Sequence, residues 1–265
     1  MRSGRQRLQA VQRDLLVLCY HAVSDTWPAA LAISQDALRR QLELVVRAGY
    51  QGAAFTDAVA SPPHEKTVVV TFDDAYASVL DLARPVLDEI GLPGTVFVVT
   101  DFADSGRTLQ WAGIDRWRGG PHEHELRGLG WEQLRELAAA GWEIGSHTLT
   151  HPRLTTLPDD ALERELRLSR EACERALGFP CRSIAYPYGD WDDRVVDAAA
   201  AAGYSAAAIE DLGAARTLAW PRVGVYRSNS LRTFRLKISP TVGSVRRALL
   251  DVRRGGFLRP AARRT

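Results

Sequence analysis

The run Thr67-Val-Val-Val-Thr-Phe72 shows no alternation of apolar and polar residues, so a strand built from it must be covered on both faces. Crossover helices cover both faces of a parallel sheet, and this run therefore directs the chain to an α/β architecture. It stops at two adjacent carboxylates, Asp73 and Asp74. Residues just past the C-terminal ends of such strands line the reactive face of α/β folds. Two acids side by side in a partly dry site stay ionised together only with a cation or a proton between them, which points to a metal or to a divided acid and base role. The same residues also admit a plainer reading, with Asp74 capping a helix that starts near Ala75 and Asp73 solvated.

A second stretch, Gly145-Ser-His-Thr-Leu-Thr-His151, follows another expected strand, Trp142–Gly145. Histidines four apart fall on one face of a helical turn. With Asp74 they would offer a divalent ion two nitrogens and one oxygen, leaving positions open for water and substrate. The His147/His151 spacing alone is common in turns that bind nothing; its weight comes from the strand-end Asp-Asp.

The remaining chain repeats strand and helix. Strands are expected at Leu15–Tyr20, Thr95–Thr100, Arg182–Tyr186, Tyr204–Ile209 and Val223–Tyr226, and helices over Gln35–Ala48, Tyr76–Ile90, Trp131–Ala140, Pro158–Leu177 and Asp192–Ala202. Ser34 is placed to cap the first of these helices. Motif residues that follow strands fit a parallel barrel, in which a site is assembled from several strand ends at one face. Asp101 stands at another strand end and is expected to face the site. Trp111 and Pro187 are candidate substrate contacts, Trp111 as part of an aromatic wall. His64 reads as an exposed loop residue, and the cluster Pro121-His-Glu-His124 as solvated rather than metal-binding.

At 265 residues the chain suits one large domain with a substantial core. Three cysteines, Cys19, Cys173 and Cys181, form no CxxC pair, which indicates neither a thiolate zinc site nor a disulfide framework and favours a reducing compartment. Residues 1–13 read as a basic extension, 14–243 as the folded domain and 244–265 as an Arg-rich tail. The apolar run Leu15–Tyr20 is too short for an export signal or a span, so a cytoplasmic protein is expected.

Three stretches in order, Thr71-Phe-Asp-Asp74, Ser146-His-Thr-Leu-Thr-His151 and Ala185-Tyr-Pro-Tyr-Gly189, resemble the polysaccharide deacetylase family, the NodB-homology enzymes of carbohydrate esterase family 4. The resemblance runs from about Leu16 to Arg227. It implies a distorted, incomplete (β/α) barrel with fewer than eight strands and a metal-dependent hydrolase that removes acetyl groups from N-acetylated sugars. The implied metal ligands are Asp74, His147 and His151, holding zinc first and otherwise cobalt, nickel or manganese. Asp73 takes the role of base, and a backbone N–H at Tyr188 that of oxyanion donor. Leu18-Cys-Tyr-His-Ala-Val23 is similar to the opening of poly-N-acetylglucosamine deacetylases, in which this histidine is the general acid; His21 is the matching residue. One departure stands out. The Arg-x-Pro-Tyr form common in the family is here Ala185-Tyr-Pro-Tyr188, so the arginine that orients the base is missing, and Arg222 is the substitute the sequence offers.

The expected substrate is an N-acetylated glycan, oligosaccharide or lipid-linked saccharide. A hydrolase of another amide or imide, and a glycan-binding module without turnover, are the alternatives. Residues 244–265 carry seven arginines against Asp251, a charge that would suit an anionic membrane as well as a solvated tail. Nucleic acid is not an expected partner, since the body without this tail is slightly acidic and has no recognition motif.

Overall fold

The computed structural model describes residues 14–61, 65–103, 105–210 and 216–239. The basic extension, His64 and the Arg-rich tail lie outside them. All six expected strands plus the histidine strand form, as β1 (Leu15–Tyr20), β5 (Thr67–Phe72), β6 (Gly94–Val98), β7 (Glu143–Ser146), β8 (Ser183–Ala185), β9 (Ala206–Ile209) and the pair β10 (Trp220–Pro221) and β11 (Val223–Gly224). Short β2 (Ala22–Val23) and β3 (Ala32–Ile33) pair apart from the main sheet, and β4 (Gln51–Gly52) adds to the start of β5. The main path runs β10-β9-β8-β7-β6-β5-β1-β11, and every pair is parallel.

The two ends of that path are consecutive in the chain. Trp220 and Pro221 pair with Ala208 and Ile209 of β9, whereas Val223 and Gly224 pair with Leu18 and Cys19 of β1. One bent segment, interrupted only at Arg222, thus serves both edges and nearly closes the sheet into a barrel. Among the described residues the path holds eight strands, nine with β4, so the expected count of fewer than eight is too low; the path reaches eight because β10 and β11 are two halves of one bent segment.

Side chains alternate across each strand, and the alternation sorts the core into two layers. Leu15, Val17, Val69, Phe97, Ala185, Ala206, Ala208 and Trp220 pack with one another and with Phe55, Ala58 and Val59 of the short helix α2 (Phe55–Ala60), which plugs one end of the barrel. Their neighbours Leu16, Leu18, Val68, Val70, Phe72, Val96 and Val98 face the outer helices. Those helices are α1 (Gln35–Arg47), α3 (Arg84–Ile90), α4 (Trp131–Ala139), α5 (Asp159–Leu177), α6 (Asp193–Ala201) and α7 (Leu231–Lys237). None of the described helices is long and apolar enough to cross a membrane. Ser34 caps α1 as expected, its hydroxyl accepting the Ala37 N–H at 3.1 Å.

The expected helix Tyr76–Ile90 starts late. Residues Val79–Ala83 form a π turn, and regular helix begins only at Arg84 with Pro85 in its first turn. Proline lacks an N–H and fits where that donor is unused, which explains the join. No helix begins at Ala75, so the capping role open to Asp74 is not the one it plays.

Inward parity continues upward from the apolar layer to Cys19, Thr71, Asp73, His147 and Arg222. At the same level of β7, Gly145 leaves room for its neighbours: a Cβ there would lie 2.6 Å from the Phe97 ring and 2.5 Å from Ser183 Oγ. Gly145→Ala is therefore expected to cost about 1–3 kcal/mol by overpacking, read as a lower urea midpoint at unchanged slope. An unchanged midpoint would mean that the interior has space the structure does not show.

Candidate active site

Asp73 follows β5 and points into the barrel mouth, where Arg222 grips it with two parallel bonds. Nη1 donates to Oδ1 at 2.7 Å and Nη2 to Oδ2 at 2.6 Å, with both side chains buried. Arg222 Nη1 also donates to Thr71 Oγ1 at 2.9 Å, and that hydroxyl donates to the Leu18 carbonyl at 2.8 Å. Arg222, the residue the sequence offered in place of the missing motif arginine, thus reaches Asp73 from the segment that closes the barrel. Burial opposes the charge on Asp73, but Arg222, the neighbouring His147 and the paired hydrogen bonds outweigh it and hold the carboxyl down at about 2. A depressed carboxylate contributes stability that is present above its ordinary range and is lost as pH falls through about 2.

Asp74 turns the other way, with backbone φ of 71°. Its Oδ1 is buried, has no hydrogen-bond partner among the described residues and lies 3.4 Å from Nε2 of both His147 and His151. The tautomer of His147 follows from its other nitrogen. Nδ1 is 2.8 Å from the Ala185 carbonyl, which can only accept, so Nδ1 carries a proton, and in the neutral form of the ring Nε2 is the nitrogen that presents a lone pair. Two imidazole nitrogens therefore converge on a carboxylate oxygen that has no donor of its own. This donor set fits a divalent ion, and the ligand atoms lie within 4.8 Å of one another.

The two histidines are not on a helical turn. They sit on an irregular loop after β7 in which Thr148 and His151 have φ of 69° and 66°. The fold, rather than four-residue helical spacing, brings their rings together. Glu165 of α5 holds this loop by accepting the N–H groups of Leu149 and Thr150, each at 2.9 Å, and the Thr150 hydroxyl.

The triad and Asp73 line a cavity of about 300 Å³. His21, the expected acid, lies on its wall just past β1, with Nδ1 enclosed and unbonded. Tyr188 adopts φ of 61° in the turn after β8, whose two backbone hydrogen bonds run from Gly189 N–H to Tyr186 O and from Asp190 N–H to Pro187 O; neither uses the Tyr188 N–H, which has no acceptor among the described residues. Its ring meets His151 edge-on at 4.7 Å. Trp111 stacks on His151 at 4.2 Å, so one of its faces is committed to a metal-ligand candidate rather than to a sugar.

Two expectations fail. Pro187 is buried beneath the turn and is absent from the cavity wall. Asp101 is exposed and pairs with Arg107 at 2.7 Å, because the loop after β6 carries it outward. Sequence reasoning also missed Glu210 and Tyr226, which line the cavity and are joined by a 2.7 Å bond from the tyrosine hydroxyl to Oε2. Glu210 directly follows β9, so the strand-end signal that singled out Asp73 was there to be read.

Arg222→Met leaves Asp73 buried without its partner, which typically costs about 3–5 kcal/mol. In that variant the acid limb of a metal-dependent activity profile should shift to higher pH, because burial of Asp73 is no longer opposed by the guanidinium. A limb that stays put would show that the arginine does not set the ionisation of Asp73.

A family model for polysaccharide deacetylase matches residues 60–207, more than half of the chain. YxkH of Bacillus subtilis (strain 168), named as a polysaccharide deacetylase, is 27% identical over 206 residues, covering 76% of this chain and 66% of that protein. A chitooligosaccharide deacetylase of Sinorhizobium fredii (strain NBRC 101917 / NGR234) is 31% identical over 149 residues, covering 53% of this chain and 55% of the relative. The chain thus spans about half to two thirds of the length of these curated relatives. Among solved structures, the Streptococcus pyogenes deacetylase PplD in complex with acetate shares the fold with a TM-score of 0.71 at 23% identity, over 85% of this chain and 98% of that one. With the family model spanning strand-end acids, histidine loop and Tyr188 turn alike, the chain belongs to the polysaccharide deacetylase family.

Proposed function

We propose that the protein hydrolyses the acetamide of an N-acetylated sugar within a glycan, oligosaccharide or lipid-linked saccharide, releasing acetate and a free amino sugar. The observation that carries this reading is the buried, donor-less Asp74 oxygen facing two imidazole nitrogens beside a carboxylate clamped by arginine. A divalent ion held by Asp74, His147 and His151, zinc in our reading, would polarise the acetamide carbonyl and acidify a water.

The protein's own groups then divide the work. Asp73 accepts the proton of the attacking water; it is ionised at any working pH, and Arg222 fixes which way its oxygens point. A carboxylate held at about 2 is a weak base, suited to a water that has already been made acidic. The Tyr188 N–H donates to the oxygen that becomes negative as water adds, a kind of contact worth ~3–4 kcal/mol. His21 donates a proton to the nitrogen as the C–N bond breaks, so that the amine leaves neutral. The feature that favoured a binding module without turnover, the missing motif arginine, loses its force because Arg222 supplies the same clamp.

Acetate release from a panel of N-acetylhexosamine oligomers and carrier-linked sugars tests the reading on metal-loaded protein. Asp73→Asn should lower the rate about 10²–10⁴-fold while metal content stays at the wild-type level. His147→Ala should lose the metal itself. Full turnover in Asp73→Asn, or full metal occupancy in His147→Ala, would contradict the assignment of that residue.

A further inference from the structure

Cys19 occupies an inward position on β1, two residues before His21, and the fold surrounds its sulfur with oxygen donors. Sγ lies 3.5 Å from Asp73 Oδ2 and 3.1 Å from Glu210 Oε1. A ring nitrogen of His21, Sγ and an Asp73 oxygen all lie within 4.8 Å of one another, and His21 Nδ1 is enclosed without a partner. Among the described residues this is the second such group, the other being Asp74, His147 and His151. Spacing in sequence gave no thiolate site because none of these residues comes from a CxxC pair; β1, β5 and β9 assemble them.

From this we infer a second, inhibitory metal site formed by Cys19 Sγ, His21 and Asp73, with the Glu210 carboxylate beside the sulfur, selective for thiophilic divalent cations such as zinc in excess and cadmium. Its dimensions are right. A tetrahedral ion about 2.3 Å from sulfur and about 2.0 Å from oxygen holds those two donors about 3.5 Å apart. Asp73 Oδ2 already accepts from Arg222, and a carboxylate oxygen keeps a further lone pair for a cation. Formal charge also balances: two carboxylates and a thiolate against a divalent ion and the Arg222 guanidinium.

Burial raises the Cys19 thiol well above its ordinary range and keeps it protonated. Entry of the ion forms the S–metal bond and releases the thiol proton to solvent, with no change of oxidation state. The sulfur ligand discriminates against magnesium, calcium and manganese, which prefer oxygen donors. Inhibition rests on the reading given above, since an ion here occupies both Asp73 and His21.

The test is a cadmium titration of the full chain preloaded with one equivalent of zinc, followed by the ultraviolet sulfur-to-cadmium charge-transfer absorption. The Asp74 site has only nitrogen and oxygen donors, so exchange there is silent in this band. The band should grow with bound cadmium, persist in Cys173→Ser and Cys181→Ser, and vanish in Cys19→Ser. Absence of the band in the wild type, or its survival in Cys19→Ser, overturns the site. If Cys19→Ser does not fold, His21→Ala serves instead and should raise the half-saturating cadmium concentration several-fold; an unshifted titration overturns the site. Excess zinc should suppress acetate release by the wild type and spare Cys19→Ser, while excess manganese suppresses neither; equal suppression of both proteins by zinc overturns the inhibitory role. The absorption needs no turnover. A missing band refutes this site and leaves deacetylation standing, whereas a normal band without acetate release supports the site and refutes the proposed activity.

Discussion

The Asp73–Arg222 pair is the interaction on which the rest of this structure turns. A guanidinium and a carboxylate, both buried, repay their desolvation only through close bidentate geometry, and here two bonds of 2.7 and 2.6 Å supply it. The pair links the end of β5 to the single residue between β10 and β11. That residue is also where one bent segment passes from the edge of β9 to the edge of β1. Barrel closure and orientation of the proposed base are therefore one event: a shift of Arg222 disturbs both.

Around this clamp the backbone is held in unfavourable shapes. The non-glycine residues with left-handed φ among those described are Asp74, Ala75, Thr148, His151 and Tyr188, and each lies on one of the three segments that build the site. Such conformations cost of order 1–3 kcal/mol apiece and persist where the surroundings over-determine them. Those surroundings are visible: Glu165 holds the histidine loop, the Ala185 carbonyl fixes the His147 ring, and Trp111 and Tyr188 confine His151. The apolar layers of the barrel supply the stability that offsets the strain.

Much of this was legible in the sequence. Uninterrupted apolar runs such as Val68–Val70 gave the parallel sheet, because a strand covered on both faces needs no alternation. The metal-ligand candidates and Asp73 were readable because acids and histidines directly after such runs have few structural reasons to be there. Arg222 was only a suggestion, since nothing local ties residue 222 to residue 73; the tie is made by barrel closure. Pro187 was misjudged for a related reason: a turn proline looks the same in sequence whether it faces a ligand or packs behind one, whereas Trp111 does line the cavity. Asp101 shows the limit of the strand-end rule, since a loop that turns outward carries its first acid to solvent. Cys19 and Glu210 escaped notice because their significance lies in each other's company, across three strands distant in the chain.

The most direct test of the account is the zinc-edge X-ray absorption spectrum of the protein loaded with one equivalent of zinc. The site built by Asp74, His147 and His151 predicts a shell of nitrogen and oxygen only, with the outer-shell scattering of two imidazoles. Sulfur in that first shell, or the absence of imidazole scattering, would contradict it.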